Sequence, residues 1–415
     1  MKSNLTIRLA VVTAVVILTG VATIQLSFGG IGHGPKRHFP NSPPRPVPGA
    51  GAQFGDPLPD LKPDQLAAFE AGREEFESEE TAADGLGPIF NHVSCVACHS
   101  GPATGGASAV TETRFGRFAN GQFDPLTALG GSLLQQSAID PAVQEVVPPE
   151  ANVVAMRQTT SLFGIGLIEA IPDIEIRLNA QRRKPDGIKG TVSLVQDVVS
   201  GHTRVGRFGW KAQQATVLAF AADAYLNEMG ITSRFFPNDN APNGNAALLA
   251  QFDKVGDPED EVDPATGTGD IDKSADFTRL LAPPPPLRLT VAASGGRRLF
   301  EQVGCATCHT PVMFTGFSKI AAIRFKPVPL YSDLLLHDMG SLGDGIVQGT
   351  AGQQDMKTAP LWGLRASAPY LHDGRAATVD EAIRAHEGEA APVRDRYGKL
   401  TPAQQQQVLE FLNSI

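Results

Sequence analysis

Two copies of one five-residue pattern constrain this chain more than any other feature. Cys95-Val96-Ala97-Cys98-His99 and Cys305-Ala306-Thr307-Cys308-His309 both read C-x-x-C-H. Two thiols at this spacing can form thioethers to one haem, and the adjacent His can ligate its iron. We therefore predict two covalently bound c-type haems, one held by Cys95, Cys98 and His99, the other by Cys305, Cys308 and His309.

A zinc ribbon is the alternative, because two C-x-x-C pairs can build one four-thiolate zinc site. Here the two pairs lie far apart in the sequence, and a His follows each pair directly. All four cysteines of the chain are in these motifs, so none remains for a disulfide or a further thiolate site. The pattern favours haem.

The N-terminus has the plan of an export signal. Lys2 and Arg8 precede a run from Leu9 to Leu26 that carries no charge. A positive segment followed by an apolar one is typical of secretory signals, and this run is close to the shortest that spans a membrane. We predict that residues 1–30 are a signal peptide or a retained N-terminal anchor, both being open. Either places the remaining chain in the periplasm, with a possible membrane tether.

The charged residues of the chain bear on two questions, whether it binds nucleic acid and whether it binds Ca²⁺. The net charge is −9 and no basic block occurs, which argues against nucleic acid. Residues 256–273 are acidic without the spacing of an EF-hand, so a solvated loop is the simpler interpretation and Ca²⁺ the alternative.

The pattern around each motif predicts a mainly α protein with two cytochrome c-like haem domains. Leu66, Phe69 and Phe76 form a helical stripe ahead of the first motif, with Asp64 as a plausible N-cap. Thr401 is a suitable N-cap for a closing helix. We predict domains at 61–282 and 290–415, the first enlarged by a long insertion in which Gly101–Gly131 is a loop. The Pro/Gly-rich residues 31–60 and the Pro-rich residues 283–289 are predicted linkers.

Three blocks outside the motifs carry a family resemblance. They are Trp210 to Gly230, the stretch Tyr331 to Gly340, and Ala359-Pro360-Leu361-Trp362 continuing through Tyr370-Leu371-His372-Asp373-Gly374. With the two C-x-x-C-H motifs, they resemble the di-haem oxidoreductase (putative peroxidase) family, within the bacterial di-haem cytochrome c peroxidase superfamily. The resemblance covers roughly residues 60–415 and implies an oxidoreductase.

The resemblance implies different surroundings for the two haems. In the peroxidases a Met ligates the electron-transfer haem, and the matching position here is His386, so we expect His309 and His386 as iron ligands. A second imidazole should lower the reduction potential relative to Met. An exposed helix histidine is the alternative for His386, and Met339, Met356 and His337 are competing ligands.

The first haem has no matching distal histidine, so we expect an open iron position there. Glu228 matches the acid proposed to move protons during O–O cleavage, although a solvent-facing Glu at a helix end would look the same. Trp210 matches the Trp between the haems, although it could be an ordinary core residue. The Gln that accompanies this Trp in the peroxidases has no clear match.

Together these observations predict an exported, peroxidase-like di-haem oxidoreductase. One haem would react with H2O2 or another small oxidant, and the other would transfer electrons from a small redox protein or a quinone-linked donor. The alternative is a di-haem electron-transfer cytochrome without peroxidase activity, in which both irons are six-coordinate.

Overall fold

The structure is a computed structural model that describes residues 52–256 and 262–415. The predicted signal or anchor (1–30), most of the 31–60 linker and part of the acidic loop (257–261) lie outside the described residues. The described residues all belong to one compact unit. None of the described helices has the length and apolarity needed to cross a membrane.

Ten α-helices occur in the described residues. They are α1 (Pro63–Glu77), α2 (Ile165–Glu169), α3 (Asp173–Gln181), α4 (Val217–Ala224), α5 (Ala246–Phe252), α6 (Asp270–Leu280), α7 (Val291–Val303), α8 (Val379–Arg384), α9 (Ala391–Gly398) and α10 (Pro402–Leu412).

Two close helix pairs organise the chain, and each has a glycine at the crossing. Helix α1 packs on α6 where a Cβ at Gly72 would overlap the carbonyl oxygen of Lys273. Helix α7 packs on α10 where a Cβ at Gly296 would overlap the carbonyl oxygen of Gln407. Only a residue without a side chain lets the two backbones approach this closely. A C-x-x-C-H motif follows the first helix of each pair.

The helix ends agree with the sequence in part. Thr401 caps α10, since its side chain accepts from the backbone N–H of Gln404. Phe69 and Phe76 are buried, as the helical stripe predicts. Asp64 is not the N-cap of α1, because the helix begins at Pro63 and Asp64 lies in its first turn.

Short β-strands are more frequent than a mainly α fold would have. They are β1 (Ile89–Phe90), β2 (Thr111–Ala119), β3 (Gln122–Asp124), β4 (Leu133–Leu134), β5 (Ser137–Ala138), β6 (Val153–Gln158), β7 (Leu194–Asp197), β8 (His202–Val205), β9 (Met313–Phe314), β10 (Pro327–Val328), β11 (Leu336–Asp338) and β12 (Asp355–Lys357).

The prediction of a mainly α fold is therefore too strong, since helix accounts for 34% and strand for 15%. The main difference lies in the predicted loop Gly101–Gly131, which contains the nine-residue strand β2, paired antiparallel with β3, β4 and β6. Thr113 and Phe115 alternate as buried residues along β2. This period of two is a strand signal, and the many nearby glycines obscured it.

The larger hydrophobic core draws on residues from both predicted haem domains. It joins α1, α2 and α6 with residues 313–335. Pro283 and Pro284 are buried, and Pro283 packs beside Gly164. The first two prolines of the Pro-rich segment are thus packed into the fold, and the two-domain division with its boundaries stays a prediction.

Candidate functional site

The first C-x-x-C-H motif turns tightly after α1 and presents an imidazole to a cavity. The backbone N–H of His99 donates to the carbonyl of Cys95 at 3.0 Å. Its Nδ1 lies 3.1 Å from the carbonyl oxygen of Gly106, so Nδ1 carries the ring proton and Nε2 keeps its lone pair. Burial lowers the pKa of His99 to about 4. A neutral imidazole with a free nitrogen is what an iron ligand requires.

Glu228 lies in the same cavity, which has a volume of about 200 Å³. A π-helical turn, Tyr225–Met229, continues α4 and carries this residue, and such turns are frequent at functional sites. Asn91 Nδ2 donates to Glu228 Oε2 at 2.7 Å. Burial, and next the negative charge of Glu112, raise the pKa of Glu228 to about 8. Glu228 therefore holds a proton at neutral pH.

A second carboxylate, Glu112, enters this cavity from β2. Arg114 donates to it through Nε and Nη2 at 2.8 and 3.1 Å. Burial opposes the ionisation of Glu112, but the charge and hydrogen bonds of Arg114 prevail and its pKa is lowered. The cavity thus holds one protonated and one ionised carboxyl group, the arrangement in which acid and base roles separate.

Gln213 contributes an unsatisfied polar atom to the same cavity. Its Oε1 is buried and has no hydrogen-bond partner among the described residues. Such an atom costs free energy unless a donor meets it, so a bound molecule that donates a hydrogen bond would satisfy it. The sequence alone had not assigned a Gln to this site.

The second C-x-x-C-H motif faces a second histidine across a larger cavity of about 330 Å³. His309 Nδ1 lies 3.0 Å from the carbonyl oxygen of Tyr331, and His386 Nδ1 lies 2.8 Å from that of Ala382. Both Nε2 atoms are therefore free. The two ring centres are 6.4 Å apart. Two imidazole–metal bonds of about 2 Å, plus the distance from each nitrogen to its ring centre, account for this separation.

His337, a competing ligand, is occupied by other partners. Its Nε2 lies 3.0 Å from Asp333 Oδ2, and its Nδ1 lies 2.7 Å from Glu389 Oε2. Burial would lower the pKa of His337, but these contacts and Cys308 raise it to about 11. The ring is an imidazolium without a free nitrogen, so it cannot ligate iron in this position. Met339 and Met356, the other competitors, line the same cavity.

One group of three side chains in the described part of the chain could hold a metal ion, because their potential ligand atoms all lie within 4.8 Å of one another. The three residues are Cys308, Asp333 and His337. A haem thioether would consume the thiol of this group. The Ca²⁺ hypothesis for the acidic loop stays a prediction.

Trp210 lines both cavities. Its Nε1 donates to the carbonyl of Gln158 at 2.9 Å, and its ring meets the edge of His372 with ring centres 6.3 Å apart. Two buried cations anchor the flanking backbone: Arg207 pairs with Asp173, and Lys211 pairs with Asp344 at 2.8 Å. Trp210 is thus held between the two sites, while His372 packs against it.

A family model described as "Di-haem oxidoreductase, putative peroxidase" matches residues 142–415, well over half of the chain. The chain belongs to this family. The predicted family and the class of di-haem cytochrome c peroxidase-like oxidoreductase are therefore confirmed, and membership implies haem cofactors.

One curated relative is cytochrome c peroxidase Ccp from Escherichia coli, which is 25% identical over 257 residues. The alignment covers 56% of this chain and 50% of the relative. The chain thus spans about half the length of that protein.

Three solved structures illustrate the more distant similarities. A MauG-like protein associated with microbial copper homeostasis is 15% identical with a TM-score of 0.40, covering 85% of this chain and 89% of that one. Hydrazine synthase from Kuenenia stuttgartiensis is 15% identical with a TM-score of 0.38, covering 96% and 99%. A variant of the diheme peroxidase BthA from Burkholderia thailandensis is 13% identical with a TM-score of 0.38, covering 85% and 86%. TM-scores of this size say nothing about the site.

The residues present fit two haems. Each motif supplies unpaired thiols and an imidazole with a free Nε2. The larger cavity also contains Lys357, whose ammonium forms no ion pair within 4.0 Å with a described residue, although the charge of Asp333 acts on it from farther away. Burial lowers the pKa of Lys357 to about 8. An unpaired cation in an apolar cavity needs an anionic partner, and a haem carries two propionates.

Proposed function

We propose that this protein is an exported di-haem c-type oxidoreductase that reduces peroxide at the His99 site and takes up electrons at the His309 site. The asymmetry between the two sites supports this most directly. His309 has a second imidazole opposite it, whereas the only ring contact of His99 among the described residues is with Phe76. The cavity beside His99 instead contains polar and titratable side chains.

Each haem would be held by its own motif. Cys95 and Cys98 supply thioethers at the first site, and Cys305 and Cys308 supply them at the second. His386 completes the ligation of the second iron, and the Lys357 ammonium pairs with a propionate. When bound, the haems supply the irons that exchange electrons and, at His99, bind the oxidant.

The carboxyl pair in the His99 cavity would move the protons. Reduction of H2O2 to two waters consumes two electrons and two protons. Glu228 holds a proton near neutral pH and can donate it to the departing oxygen. Glu112 is ionised by Arg114 and can accept the proton that peroxide loses on binding and pass it to the deprotonated Glu228, while the two protons that the reaction consumes come from solvent. Gln213 Oε1 can accept a hydrogen bond from the bound oxidant and so orient it.

Trp210 would relay electrons between the sites. Two aromatic rings, Trp210 and Phe220, line both cavities in the described part of the chain. The donor would be a small redox protein or a quinone-linked donor, and the location periplasmic, with the N-terminal segment as a possible tether.

EPR and optical spectra of the purified oxidised protein, before and after one equivalent of H2O2, test this function. We expect one low-spin haem and one high-spin haem, with the high-spin signal lost on adding peroxide and absent in His99→Ala. Two low-spin haems that peroxide does not change, even after one-electron reduction, would show an electron-transfer cytochrome instead.

A further inference from the structure

Three phenylalanine rings are exposed on one loop next to the second haem motif. The loop joins β9 to β10, and the exposed fractions are 57% for Phe314, 72% for Phe317 and 61% for Phe325. Phe118, at 38%, is the only other exposed phenylalanine of the described residues. Exposed apolar groups concentrated in this way mark interaction sites. We call residues 312–326 the Phe hairpin.

Hydrogen bonds hold the Phe hairpin in shape, so the rings cannot simply fold inward. The Thr315 hydroxyl donates to the carbonyl of Ile323 at 2.6 Å and accepts from the N–H of Lys326 at 2.6 Å. The N–H of Gly316 donates to the carbonyl of Ala170, just after α2, at 2.8 Å. Phe325 has a φ of 53°, which is rare for a bulky residue. The outward rings are thus a fixed feature of the loop.

The charged residues of the hairpin segment all have one sign. No Asp or Glu occurs between Glu301 and Asp333, whereas Lys319, Arg324 and Lys326 all lie in the hairpin. The Arg324 guanidinium lies over the Phe317 ring, 5.9 Å from its centre. The chain as a whole has a net charge of −9, so this segment is a local exception. Its complement is an apolar patch surrounded by acidic groups.

The place of the hairpin in the sequence favours an electron donor as this partner. Val312 follows His309 by three residues, so the hairpin leaves directly from the motif that holds the second haem. Electron transfer needs a partner close to a haem edge. An aromatic centre with a charged rim is the composition of protein–protein interfaces.

We propose that the Phe hairpin is the docking surface for a small redox protein with an acidic face, which reduces the second haem. In each encounter the donor loses one electron and the ferric iron at His309 gains it. This inference rests on the proposed function, because it needs haem at the second motif.

Stopped-flow reduction of the haem-loaded protein tests the charge complementarity. The probes are a reduced acidic cupredoxin and, as the mismatched donor, a reduced basic cytochrome c. With Lys319→Glu, Arg324→Glu and Lys326→Glu combined, the second-order rate constant for the cupredoxin should fall at least tenfold at low ionic strength. That for cytochrome c should rise, and added salt should reduce both effects. Unchanged rate constants for both donors would overturn the proposal.

Substitution of the rings tests the apolar contact. Phe314→Ser, Phe317→Ser and Phe325→Ser combined should lower the cupredoxin rate constant several-fold and leave reduction by ascorbate unchanged. Val154→Ser with Val291→Ser is the matched control, because these side chains are 56% and 92% exposed away from the hairpin. An equal loss in the control would refute the assignment.

Two further outcomes separate this inference from its alternatives. If the charge-reversed protein loses co-sedimentation with phosphatidylglycerol vesicles but keeps both donor rate constants, the hairpin binds membranes and the proposal is wrong. A pyridine haemochrome spectrum that shows fewer than two c-type haems per wild-type chain would overturn the proposed function itself. Normal haem content with an unaffected donor rate overturns the docking surface alone.

Discussion

Replacement of Glu228 by Gln is the sharpest test of the chemistry in the His99 cavity. Gln has nearly the same size and can still bond to Asn91, but it cannot release a proton. A positioned general acid contributes roughly 10²–10⁴-fold to rate. The second-order rate constant for H2O2 should therefore fall by about 10²–10⁴-fold, with haem content and the second-site spectrum unchanged.

The rate constant for H2O2 should also depend on pH, and the direction follows from the pKa of Glu228. With a pKa of about 8, Glu228 is about nine-tenths protonated at pH 7 and about one-tenth at pH 9. The wild-type rate constant should fall about tenfold per pH unit above pH 8, because the proton donor is lost. Glu228→Gln should lack this decline.

The raised pKa of Glu228 also makes the stability of the fold depend on pH. The pKa of Glu228 is raised from 4.5 to about 8 on folding, so between these values the folded protein keeps a proton that the unfolded chain has lost. The contribution of Glu228 to the free energy of unfolding is fully present below its unfolded pKa of 4.5 and is lost as the pH rises toward its folded pKa of about 8. Thermal unfolding of Glu228→Gln should show a smaller decline in Tm over this range.

Stopped-flow absorbance at varied peroxide concentration and pH measures these effects. Glu145→Gln is the control, because burial also raises the pKa of Glu145 but its carboxylate accepts from the N–H groups of Gln135 and Asn243, outside the His99 cavity. Its rate constant should stay near the wild-type value. A Glu228→Gln rate constant within twofold of wild type, with the decline above pH 8 retained, would refute the proton-transfer role.

Three further predictions concern the second site and the core. His386→Met should raise the midpoint potential of the second haem, because a Met/His iron has a higher potential than one with two imidazoles; an unchanged potential in a redox titration would argue against ligation by His386. Lys357→Met should lower that potential, because the variant removes a cation that disfavours the oxidised iron; an unchanged potential in a redox titration would contradict the propionate pairing. Asp344→Asn should cost about 3–5 kcal/mol in urea unfolding, since it leaves the buried Arg157 and Lys211 without their shared anion; a loss under about 1 kcal/mol would show that the ion pair is dispensable.

Part of the fold was predictable because its signals are local. The cap at Thr401 depends on neighbouring residues, and it occurs as expected. Strand β2 was mistaken for a loop because its glycine-rich surroundings outweighed the alternation of Thr113 and Phe115. The mixed character of the fold followed from this error.

The His99 cavity shows why the rest needed the structure. Glu112 and Glu228 are far apart in the sequence, and no spacing rule relates them. Only the tertiary structure brings them together, and it separates their pKa values because both are buried but Arg114 pairs with Glu112. Gln213 was missed for a similar reason, because an amide becomes noteworthy only when it is buried without a partner.

The sequence by itself determined the two C-x-x-C-H motifs and the family, because thiol spacing and block patterns are properties of consecutive residues. It also pointed to His386, which the structure brings to 6.4 Å from His309, measured between ring centres. The tertiary structure alone decided which carboxyl group keeps its proton, which lysine lacks a partner and which phenylalanines face water. These properties depend on burial and on contacts between distant segments, and no local pattern encodes them.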